Sequence, residues 1–99
     1  MIQEFATIRV LEGHADAFVA AVAAARPLFA QAQGFRSLAL KRSIEQPECF
    51  YLFVGWNSVE NHMVDFRNSP AFGAWRALVG PHFAGAPVVE HLDEITLPQ

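Results

Sequence analysis

The chain has 99 residues, of which 53% are hydrophobic and 17% charged, with 7 basic residues against 10 acidic ones. That length holds one core, so residues 1–99 read as a single domain, and the composition excludes both a disordered chain and a coiled coil. Its basic residues are scattered (Arg9, Arg26, Arg36, Lys41, Arg42, Arg67, Arg76), which argues against nucleic-acid binding. His14, Asp16 and Arg26 break up the alanine-rich stretch, so no segment has the unbroken apolar length of a membrane span.

The first five residues lack a basic region followed by an apolar one, which predicts no signal peptide. A lone Cys49 excludes an internal disulfide, and the predicted location is the cytoplasm. More than half of the residues are apolar and nine are Phe, more than a chain this short can hide from water. A homodimer is the simplest way to cover the excess.

Residues 2–11 predict a strand with Ile2, Ala6, Ile8 and Val10 on one face and Phe5, Thr7 and Leu11 on the other. A helix follows over 15–33, with Phe18, Val22, Leu28, Phe29 and Ala32 at helical spacing, a kink at Pro27 and a glycine stop at Gly34. Residues 35–45 predict a second strand, with Leu38, Leu40 and Ile44 on one face. Gln46, Pro47 and Glu48 turn the chain into a third strand over 49–57, apolar on both faces.

Ser58 caps a short helix over 59–67, whose inner face is Val59, His62, Met63 and Phe66. Ser69 followed by Pro70 opens another helix, which carries Phe72, Trp75, Leu78 and Val79 and ends at Gly80 and Pro81. Residues 87–97 predict the last strand, with Val89, His91, Ile95 and Leu97 on one face. The order βαββαβ, with the second helix split, is the α+β ferredoxin-like plan. It leaves one sheet face bare, and because that face is apolar too, two sheets are expected to pack together.

The run from Tyr51 to Trp75, with Trp56-Asn57-Ser58, His62, Phe66, Ser69-Pro70-Ala71-Phe72 and Trp75, and the close Val89-Glu90-His91, resembles the antibiotic biosynthesis monooxygenase (ABM) family. The resemblance implies a dimeric α/β barrel of two ferredoxin-like subunits, each with a pocket between sheet and helices. It also implies cofactor-free oxidation of an aromatic or enolisable small molecule by O2, with no metal or organic cofactor. In such chemistry a weak base removes a phenolic or enolic proton, and the electron-rich anion then passes an electron to O2. A dimeric small-molecule binder without activity, and an isomerase acting on a small ketone, are the rival readings. Haem degradation fits least, because the positions it would need hold Ala6, Phe66 and Arg76.

On this reading His62 is the base and Arg76 steadies negative charge. Tyr51, Met63, Phe66, Phe72, Trp75 and His82 form the substrate-binding set. His91 reads as a structural residue whose face belongs to the dimer contact, and His14 as solvated. No two histidines stand at i, i+4, and Cys49 has no nearby partner, so no metal site is predicted.

Overall fold

The computed structural model describes residues 1–98. Its strands are β1 (Ile2–Arg9), β2 (Phe35–Arg42), β3 (Cys49–Trp56) and β4 (Val88–Leu92). They form one antiparallel sheet in the order β2-β3-β1-β4. Helices α1 (Ala15–Ala30) and α2 (Pro70–Val79) alternate with the strands as the ferredoxin-like plan requires.

Alternation decides which side of the sheet is inside. Ala6, Ile8, Phe50, Leu52, Val54 and Trp56 are buried toward the helices. They meet Phe18, Val22, Ala25 and Phe29, which recur along α1 at the spacing of one helical stripe. Phe29 is the hub: its ring centroid lies 4.9 Å from Phe66, 4.8 Å from Trp75 and 6.4 Å from Trp56. The opposite face carries Phe5 stacked on Tyr51 at 5.8 Å and against Phe53 at 5.1 Å, with Lys41 Nζ 5.1 Å above the Phe53 ring.

The elements end earlier than the residue pattern predicts. Helix α1 runs through Pro27 but closes at Ala30, where the Gln31 N–H turns back to the Pro27 carbonyl and the Ala32 N–H to that of Phe29. Gly34 follows with φ of +80°, the left-handed turn that a glycine permits. Its missing side chain also lets the 59–67 segment approach, since a Cβ there would collide with the Asn61 side chain. Strand β2 stops at Arg42, which leaves Ile44 90% exposed rather than on the inner face. Strand β4 also stops early, after five residues, and Ile95 and Leu97 lie outside it, exposed.

Ser58 caps the next segment as predicted, its Oγ accepting the Asn61 N–H at 3.2 Å. The segment itself is wider than an α-helix. Residues Asn61–Phe66 form a π-helical turn, and the Arg67 N–H reaches the His62 carbonyl at 3.1 Å. Ser69 departs from its predicted role, because its hydroxyl donates back to the Phe66 carbonyl at 2.6 Å instead of capping α2. Pro70 opens α2 nonetheless. A 3₁₀ turn, Gly80–His82, leads toward β4.

Candidate functional site

Between the sheet and the split helix lies a cavity of about 750 Å³. The strands contribute Glu4, Ala6, Ile8, Leu52, Val89 and His91. The helical side contributes His62, Met63, Phe72 and Trp75, with the exposed Arg67 and Arg76 at the mouth, and the loop through Phe83, Gly85, Ala86 and Pro87 completes the lining. The surroundings are mainly apolar with a few converging polar groups, the make-up of a small-molecule site.

The polar groups are strung in a line. β1 alternation turns Glu4 inward with Ala6 and Ile8, and the sheet register sets Glu4 opposite His91 on β4. The Trp56 indole Nε1–H donates to Glu4 Oε1 at 3.0 Å. The same oxygen lies 3.3 Å from His62 Nε2, and His62 Nδ1 lies 2.9 Å from His91 Nε2. The Trp56 ring stacks on His62 at 5.7 Å with an 18° tilt, which fixes the imidazole plane. Because His62 spends one ring nitrogen on each neighbour, the three side chains do not converge. Among the described residues no group of three His, Cys, Asp or Glu is placed to hold a metal ion.

Glu4 and His62 are 6% and 5% exposed, and burial disfavours the charged form of each. Desolvation pushes the Glu4 carboxyl up to about 7, against the opposing pull of the Trp56 hydrogen bond and the Arg67 charge. Desolvation, then the charges of His91 and Arg67, hold His62 down to about 4, so at neutral pH its imidazole is uncharged. The raised acid has a consequence for stability. The folded state holds a proton on Glu4 that the unfolded chain releases above about 4.5, so this carboxyl costs nothing below that pH. Its cost grows as pH rises toward about 7 and is complete above it. Glu4→Gln removes the cost, so relative to the wild type this variant should gain about 2–3 kcal/mol between about pH 5 and about pH 8, read by urea unfolding at both. A gap between the two proteins that does not change with pH would contradict the burial argument.

Arg67 and Arg76 flank Phe72, their guanidinium carbons 5.4 and 5.8 Å from its ring centroid. Neither has a carboxylate within ion-pair distance among the described residues. The cavity mouth is therefore cationic, which favours an anion or a group becoming one.

Of the residues singled out from the sequence, the cavity gathers His62, Met63, Phe72, Trp75 and Arg76. Three others stand elsewhere. Tyr51 projects from the opposite face of the sheet, where it stacks on Phe5, because it alternates with the inward Phe50 and Leu52. Phe66 is buried behind the wall, packed on Phe29 and Trp56 and edge-on to Phe72. His82 bonds His14 instead, Nδ1 to Nδ1 at 3.0 Å, which also leaves His14 half-buried rather than solvated. His91 belongs to the cavity and not to the bare face. Glu4 is the residue that sequence reasoning missed. Its signal was parity, since a carboxylate at the fourth position shares a face with Ile2, Ala6 and Ile8.

Similarity to other proteins agrees with this architecture. A crystal structure of a candidate antibiotic biosynthesis monooxygenase from Bordetella bronchiseptica is 50% identical, over 96% of this chain and 97% of that one, with a TM-score of 0.95. A similarly named protein from Caulobacter crescentus CB15 is 26% identical over 96% of this chain and 90% of that one, with a TM-score of 0.81. The uncharacterized protein YczJ of Bacillus subtilis (strain 168) is 28% identical over 96% of this chain and its own full length. SnoaB, a cofactor-independent oxygenase from Streptomyces nogalater, shares the fold at 16% identity and a TM-score of 0.80, over 99% of this chain and 97% of that one. The sequence profile of the family Antibiotic biosynthesis monooxygenase matches residues 1–78, the stretch that supplies Glu4, Trp56 and His62, and with that match the chain belongs to the ABM family.

Proposed function

We propose that this protein is a cytoplasmic, homodimeric monooxygenase that oxidises an aromatic or enolisable small molecule with O2, using neither a metal nor an organic cofactor. The observation that carries this reading is an uncharged, buried imidazole, His62, held by fixed partners in the wall of an apolar cavity with a cationic mouth. A neutral imidazole bonded at both ring nitrogens can take a proton on one as it gives one up from the other, and an apolar chamber strengthens whatever electrostatic contacts the resulting anion makes. Removal of a phenolic or enolic proton yields an electron-rich anion. That anion gives one electron to O2, and the radical pair joins to form a carbon–oxygen bond. The hydroperoxide, once protonated, loses water and leaves a carbonyl. Across the sequence the carbon loses two hydrogens and gains one oxygen atom, while the second oxygen departs as water. Arg76, with Arg67 beside it, offsets the negative charge at the mouth. Phe72, Trp75 and Met63 hold the ring by apolar contact.

The bare sheet face supports the dimer. Phe5, Tyr51, Phe53 and Val88 there would be covered by the same face of a second copy. Sedimentation at low micromolar concentration should give a two-copy species, and a single-copy species would remove that part of the proposal.

Oxygen-electrode assays against a panel of hydroxyanthrones and quinols test the reaction. Uptake of one O2 per carbonyl formed is the expected result. Conversion without O2 uptake would replace the reading with an isomerase, and tight binding without conversion would replace it with a binder.

A further inference from the structure

We infer that Glu4, His62 and His91 form a proton wire: His91 takes the proton of a phenolic or enolic ligand at the cavity wall, and Glu4 stores it underneath. This rests on the proposed base chemistry but assigns its parts differently, since His62 becomes the link rather than the terminus.

The geometry gives the wire its direction. His91 is half-buried and lines the cavity, whereas His62 and Glu4 are more deeply enclosed. His62 Nδ1 faces His91 Nε2 at 2.9 Å, and His62 Nε2 faces Glu4 Oε1 at 3.3 Å. With Glu4 ionised, His62 carries its hydrogen on Nε2 and donates it to the carboxylate, while His91 Nε2–H donates to His62 Nδ1. When the ligand O–H breaks, its proton joins the remaining ring nitrogen of His91. The His91 Nε2 hydrogen then moves to His62 Nδ1, and the His62 Nε2 hydrogen moves to Glu4 Oε1. Each imidazole ends neutral in its other tautomer, Glu4 becomes a carboxylic acid, and the ligand becomes the anion. One negative charge has passed from Glu4 to the ligand: the buried cluster has become neutral, and the charge of cluster and ligand together is unchanged. Run backwards, the same transfers return the proton to a reduced-oxygen intermediate.

The surroundings suit a store that exchanges its proton near neutrality. Glu4 faces His62 and Arg67 from the 59–67 segment, His91 from β4 and the Trp56 indole from β3. Burial works against the carboxylate while Trp56 and Arg67 work for it, which leaves the group poised at about 7. Trp56 also holds Oε1 in place and stacks on His62, so both ends of the inner link are fixed. Glu4 acts through His62 and is a positioning and storage group.

The test uses 4-nitrophenol, whose ionisation is visible in its absorbance, together with the infrared carboxyl band of the intact protein. In the wild type, a protonated-carboxyl band should titrate near neutrality. It should grow as 4-nitrophenol binds and turns to phenolate. Glu4→Gln should lack the band and bind the probe as the neutral phenol. His91→Phe, which keeps Glu4 in place, should show the band but no response to the probe. In O2-uptake assays the wild-type kcat/KM should fall on the acid side of about 7, where the store is already full. Glu4→Gln should lose that limb and at least about tenfold in rate.

A wild-type band that does not titrate near neutrality, or that ignores saturating probe, overturns the wire even if Glu4→Gln cannot be folded. So does a Glu4→Gln protein that ionises the probe or keeps the wild-type pH profile. The two proposals fail separately. Probe ionisation with no O2 uptake on any substrate sinks the oxygenase and leaves the wire, whereas O2 uptake with an unchanged Glu4→Gln profile does the reverse.

Discussion

Replacing His62 with Gln is expected to lower O2-dependent turnover by about 10²–10⁴-fold, the span that a positioned general base contributes. Gln fills much of the same space and can still hydrogen-bond to Glu4 or His91. It cannot take up a proton on one side while releasing one on the other. The loss should therefore fall on kcat, with substrate affinity and the far-ultraviolet circular dichroism close to wild type. Steady-state O2 uptake with the best substrate of the panel provides the measurement. Full activity in His62→Gln would exclude His62 from the chemistry, both as base and as link.

Phe29→Ala should bring the largest loss of stability. Phe29 is 1% exposed, and its ring meets Phe35, Trp56, Phe66 and Trp75. Truncating a buried Phe removes its transfer free energy and leaves a cavity, together about 3–5 kcal/mol. A domain of this size has only about 5–15 kcal/mol in total, so the variant should unfold at far lower urea or fail to accumulate. The damage should reach the site as well. Phe66 and Trp75 are held by Phe29 from behind, and they in turn support the π-helical turn and the cavity wall. Equilibrium urea unfolding checks the first effect, and a cost below about 1 kcal/mol would contradict the packing argument.

The element order was legible because the apolar spacing changes cleanly between strand and helix. Phe18, Val22 and Phe29 repeat at helical intervals, while Phe50, Leu52, Val54 and Trp56 alternate. What β3 could not reveal was its inner side, since Tyr51 and Phe53 are as apolar as their neighbours. Alternation alone therefore allows Tyr51 either side, and in the structure it stands on the bare face against Phe5. β1 held the answer, because Glu4 interrupts an apolar face, but an acid there reads as a solvent-facing side chain until its partners are known. Those partners, Trp56, His62 and His91, come from 52 to 87 positions further along the chain, and only the sheet register and the split helix bring them together. The His14–His82 contact was hidden for the same reason, since it depends on a turn closing against the start of α1. Early strand ends were missed because Ile44, Ile95 and Leu97 continue the apolar pattern although no neighbouring strand is there to receive them.

The π-helical turn between Asn61 and Phe66 bears on how knowledge passes between homologues. A turn of this kind takes in one residue more than an α-helical turn, and in an α-helix each residue advances the direction of the side chain by about 100°. A relative with an ordinary helix at this point would aim a different alignment column at the chamber. The role proposed for His62 depends on its place in space, so pairing columns of letters with such a relative across that turn would assign it to the wrong neighbour.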